Sequence, residues 1–143
     1  MLKRLFPVFI TAIGLYSAAA GAATIEGVSF ADRLNAGGQE LTLRGTALLR
    51  YMVFIKAYVG AFYHEAQEPV ERALDSDVQR SLMLHYFHDI SAEDFSAATT
   101  RMIRKNVSPE TYAALSPKID RLNSLYQNVA PGDRYTATYE PGV

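Results

Sequence analysis

The chain has 143 residues, of which 49% are hydrophobic and 20% charged, with a formal net charge of -1. That is enough for one domain with a real core, and too apolar for a disordered segment. The 14 basic residues do not exceed the 15 acidic ones, so nothing in the balance attracts nucleic acid, and the lack of cysteine excludes disulfides, thiolate metal sites, a cysteine nucleophile and a lipidated cysteine anchor.

Residues 1–23, MLKRLFPVFITAIGLYSAAAGAA, open with Lys3 and Arg4, continue apolar and end in small residues. That is the layout of a signal peptide, cut after Ala22 or Ala23, and it predicts an exported protein with no membrane span after cleavage. The domain then occupies residues 24–143. TIEGVSFADRL reads as extended chain, NAGG (35–38) as a turn, and ELTLRG, in which Leu41 and Leu43 alternate with Thr42 and Arg44, as the second strand of a hairpin.

From Tyr51 to Tyr63 only Lys56 is charged, and Arg50 stands just before the run. The stretch is too short to cross a bilayer as a helix, and its β-branched and aromatic residues predict one strand. By parity Tyr51, Val53, Ile55, Ala57, Val59, Ala61 and Tyr63 form a core face. Arg50, Met52, Phe54, Lys56, Tyr58, Gly60 and Phe62 form the other face, either the wall of an apolar pocket with polar anchors or a sheet edge whose cations reach solvent.

EPVERALDSD predicts a short connecting helix, and RSLMLHYFHDI a further strand. Ser91 is the expected cap of an amphipathic helix with Ala92, Phe95, Thr99 and Met102 on one stripe. Ser108-Pro109 and Ser116-Pro117 each read as a cap with proline at the first helical position, the second opening a helix with Ile119, Leu122, Tyr126 and Val129 at helical spacing. Pro131-Gly132-Asp133 makes a turn into the strand RYTATYEPGV. Strands, then helices, then strand predict an α+β fold, an open antiparallel sheet with helices on one face.

Catalytic signals are sparse. His85 and His88, three apart on a strand, leave opposite faces and cannot share a metal, so neither a metal nor a cofactor is expected. Glu93 and Asp94 suit a helix start without any acid–base role. Arg50 with Tyr58 is the one pair that suggests recognition, a guanidinium and a phenol able to hold a carboxylate at two points.

LTLRGTALLRYMVFIKAYVGAFY, with its Phe-x-Lys-x-Tyr-Val-x-x-x-Tyr run, resembles the signature of the bacterial chalcone isomerase-like domain. LHYFHDISAEDF is similar to that family's strand-to-helix step, and VAPGDRYTATYEPGV to its Gly-Asp strand ending in Tyr-x-Pro-Gly. The resemblance implies an open antiparallel sheet with a cleft beneath its helices, and a domain that stops at Val143 short of the family's last strand and helix. Plant members close a flavanone ring in that cleft, whereas fatty-acid-binding relatives keep an arginine and a tyrosine to hold a carboxylate, matched here by Arg50 and Tyr58. The plant helix positions for a tyrosine, a lysine and an asparagine fall on Phe95, Ala98 and Met102, which cannot hydrogen-bond a substrate, and no catalytic residue is expected. The resemblance thus implies a periplasmic or secreted, non-catalytic binder of a small apolar carboxylate such as a fatty acid. Its expected site is Arg50, Tyr58 and Lys56 at the head group with Met52, Phe54 and Phe62 along the tail. The alternatives are an isomerase (intramolecular lyase) acting on a phenolic substrate and an envelope protein with no small ligand.

Overall fold

The computed structural model describes residues 22–51 and 54–142. The proposed signal segment, apart from its last two residues, and Met52 and Val53 therefore lie outside the described residues. Five strands form one antiparallel sheet in the order β3 (Arg33–Ala36), β4 (Gln39–Tyr51), β5 (Ile55–Glu65), β6 (Arg80–Tyr86) and β7 (Arg134–Tyr139). A separate hairpin of β1 (Ala22–Ile25) and β2 (Val28–Ala31) covers one face of it. Two helices, α1 (Ala92–Asn106) and α2 (Pro109–Asn123), stand between β6 and β7 in the chain. The expected α+β fold is the one observed.

The extended N-terminal stretch is a tight hairpin because Glu26 and Gly27 both adopt positive φ, 52° and 79°. Such a pair of left-handed residues gives a two-residue turn whose twist matches that of the strands. Gly37 and Gly38 do the same between β3 and β4.

The largest correction concerns the run from Tyr51 to Tyr63, which is two strands and not one. Tyr51 pairs with Ile55, so the chain reverses between them and β4 and β5 are separate strands. No glycine, proline or asparagine marks this turn, and both flanks are rich in strand formers, so alternation runs through the reversal without a break. From Val59 onward the expected parity holds, with Val59, Ala61 and Tyr63 buried beside Val28, Phe30 and Leu41 in the core beneath the β1–β2 hairpin.

Before Tyr58 the parity fails. Leu49 pairs with Tyr58 and Arg50 with Lys56, which leaves Ala57 as an extra residue in β5. Such a bulge turns every side chain beyond it to the opposite face. Arg44 is the matching extra residue at the other end of β4, and its guanidinium donates to the carbonyls of Glu65, Ala66 and Glu68 at 2.9, 3.0 and 3.2 Å.

Ser91 and Ser108 cap α1 and α2 as expected, each hydroxyl accepting the backbone N–H three residues on. Pro117 opens no new helix; it lies inside α2, which continues past it although a proline cannot donate to the carbonyl four residues back. Tyr126 and Val129 consequently lie beyond the helix, where Val129 bridges to Ile90. The expected connecting helix shrinks to one 3-10 turn, Val70–Arg72, whose Arg72 is fastened by Glu68, Asp75 and Asp77.

Candidate functional site

The face of the sheet turned away from the β1–β2 hairpin carries Tyr58, Leu82, Leu84, Tyr135 and Ala137 by strand alternation. Over it α1 presents Asp94, Phe95, Ala97, Ala98 and Arg101, which recur at the spacing of one helical face. Between them lies a cleft of about 860 Å³. Small residues make the room, since Ala97 and Ala98 on the helix face Ala57 and Ala137 on the strands. Leu49, Ile55, Leu82 and Leu84 give the sheet wall its apolar character.

One end is floored by aromatic rings. Phe95 meets Tyr86 at 5.4 Å between centroids, stacks on Tyr126 at 5.2 Å and touches Tyr135 at 5.2 Å, while Tyr58 packs edge-on to Tyr86 at 5.8 Å. These offset and edge arrangements suit the ring quadrupoles and make a rigid floor. Two of the hydroxyls are used internally: Tyr126 pairs with the Thr99 hydroxyl at 2.8 Å, and Tyr135 bonds the backbone of Gln127. Those of Tyr58 and Tyr86 have no hydrogen-bond partner among the described residues. Burial, reinforced by the neighbouring tyrosines Tyr58, Tyr135 and Tyr126, pushes the Tyr86 hydroxyl up to about 12, so it remains a proton donor at any physiological pH.

The structure separates the residues expected to act together. Tyr58 lines the cleft, and Arg50 stands on its rim with its guanidinium 3.4 Å from the Glu26 carboxylate. Lys56, turned by the Ala57 bulge, also pairs with Glu26 and takes no part in the lining. The Lys56 ammonium, followed by Arg50, holds the Glu26 carboxyl below its ordinary range. Phe62 lies further along the same sheet face, in a shallow groove that shares Leu82 and Leu84 with the cleft. Phe54, expected along the tail, follows the end of β4 at 88% exposure and is not among the residues that line this cleft. Met52 lies outside the described residues.

Three residues of interest escaped the sequence reading. Tyr86 and Arg101 line the cleft, and Arg101 makes no ion pair among the described residues. Its spacing from Asp94 and Ala98 places it on the cleft side of α1, but only the packing of α1 reveals that this side faces the sheet. Glu26 stands distant in sequence from the cations it binds.

A curled antiparallel sheet with a cleft under its helical layer defines an α+β domain. The chalcone isomerase-like family model matches residues 22–143, and the chain belongs to that family. No curated protein matches the chain.

Proposed function

We propose that the cleft binds a small apolar carboxylate, of which a fatty acid is the type, and performs no chemistry on it. The observation that carries this reading is the combination, around one cleft, of apolar walls, a rim arginine and two phenols, Tyr58 and Tyr86, whose hydroxyls have no partner among the described residues. A carboxylate set between those hydroxyls accepts two hydrogen bonds, and the nearby Arg50 supplies positive charge. The helix positions that matter in the plant enzymes support binding over catalysis. Phe95 belongs to the aromatic floor, Ala98 to the apolar lining, and Met102 is 53% exposed. None of these side chains can hand on a proton. The basic start and apolar middle of residues 1–23 support export to the periplasm or beyond. Among the described residues no helix is long and apolar enough to cross a membrane.

The test is fluorescence titration of the protein lacking residues 1–22 with cis-parinaric acid. Arg50→Ala is expected to weaken binding about 10- to 100-fold, the weight of a charge-assisted contact, while circular dichroism stays that of the parent. Equal affinity in a folded Arg50→Ala variant would reject the role of Arg50, and no saturable uptake by the parent would reject the binding reading.

A further inference from the structure

One carboxylate faces two cations at the tip of the β1–β2 hairpin. Glu26 pairs with Lys56 closely and with Arg50 at 3.4 Å, and the three side chains are 26%, 44% and 43% exposed. The Ala57 bulge brings this about, because it makes Arg50 and Lys56 cross-strand partners, and from the end of the β4–β5 pair both cations reach Glu26. Glutamate is also a poor choice for its position. Its φ of 52° is one that glycine and asparagine adopt easily and that costs other residues conformational energy. The turn geometry by itself therefore does not account for a glutamate here.

We propose that Glu26 is a built-in competitor for the head-group cation. It occupies Arg50 while the cleft is empty, and a ligand carboxylate draws Arg50 away because Lys56 alone suffices to neutralise Glu26. The inference rests on the binding reading above and assigns two further roles to the site. Glu26 lowers affinity for every anionic ligand and leaves neutral ones untouched, so that only a ligand with a full negative charge and a well-seated tail displaces it. Lys56 is the counter-ion that permits the exchange and does not contact ligand.

The roles separate in a double-variant cycle titrated with cis-parinaric acid and with its methyl ester. Glu26→Gln is expected to tighten binding of the acid roughly two- to fivefold, the weight of one partly exposed ion pair, and to leave the ester unchanged. Lys56→Met should weaken binding of the acid, since Glu26 then grips Arg50 alone. The double variant should match Glu26→Gln, because Lys56 acts only through Glu26. Glu26→Asn, which suits the positive φ, removes the charge while keeping the turn and must give the same tightening if charge is the cause.

Unchanged or weaker binding of the acid in both Glu26 variants would overturn the proposal, as would a Lys56→Met effect that persists in the double variant. Tighter binding of the ester in step with the acid would overturn it too, showing that the hairpin opens the cleft without regard to charge. A parent protein that takes up neither probe rejects the binding reading and this inference together, whereas a parent that binds the acid with no Glu26 effect rejects this inference alone.

Discussion

The two faces of the central sheet each bury a tyrosine, and the two are used in opposite ways. Tyr63, 1% exposed under the β1–β2 hairpin, donates its hydroxyl to the Ala31 carbonyl at 3.0 Å. Tyr86, 2% exposed on the other face, has a hydroxyl with no partner among the described residues that borders the cleft. Around Tyr63 the packing is closed, with Leu41, Val59 and Ala61 at 0% exposure. Around the cleft Leu49 and Leu82 remain 47% and 41% exposed. A polar group can be satisfied from within, which stabilises the fold, or kept ready for something from outside, which forgoes that stabilisation. The Tyr63 hydroxyl is satisfied from within, and the binding function proposed above assigns the second task to Tyr86.

The comparison is most easily broken by truncating one large side chain on each face. Phe30→Ala empties the centre of the closed face and is expected to cost about 3–5 kcal/mol in urea unfolding, whereas Leu82→Ala should cost below about 1.5 kcal/mol because its site is already half open to water. Similar losses at both positions would show the cleft face to be as firmly packed as the other. The next step is smaller. Tyr63→Phe removes the bond to Ala31 and should cost about 0.5–1.5 kcal/mol, while Tyr86→Phe removes no internal bond and should leave stability nearly unchanged. A clear loss of stability in Tyr86→Phe would mean that its hydroxyl is already used within the fold.

This division was half legible in the sequence. Period-two alternation placed Val59, Ala61 and Tyr63 together in the core, and the serines at 91 and 108 announced both helices, since these signals depend on neighbours within a few residues. The motif pointed to the same family that the match over residues 22–143 shows. What stayed hidden depends on pairing. The β4–β5 reversal has no turn residue to mark it, and the Ala57 bulge has no sequence signature, yet together they decide that Ile55 lines the cleft and Lys56 does not. Likewise Arg101 reads as an ordinary surface cation until α1 is laid on the sheet.

The finest distinction between the two tyrosines lies in alkaline solution. Burial raises both hydroxyls above the ordinary value, that of Tyr86 to about 12, whereas in the unfolded chain both ionise near 10. A raised folded-state value means that the unfolded state loses its proton first, so the stabilisation is complete below about pH 10 and is lost as the pH rises toward 12. Tyr86→Phe should therefore flatten, without abolishing, the fall of the urea midpoint between pH 10 and 12, the remainder belonging to Tyr63. Below pH 10 the same substitution should leave the midpoint alone and weaken cis-parinaric acid binding roughly three- to tenfold through the lost donor, with no pH dependence between 7 and 9. An unchanged alkaline slope would show that the Tyr86 hydroxyl is solvated in the folded protein, and the contrast between the two faces would then rest on packing alone.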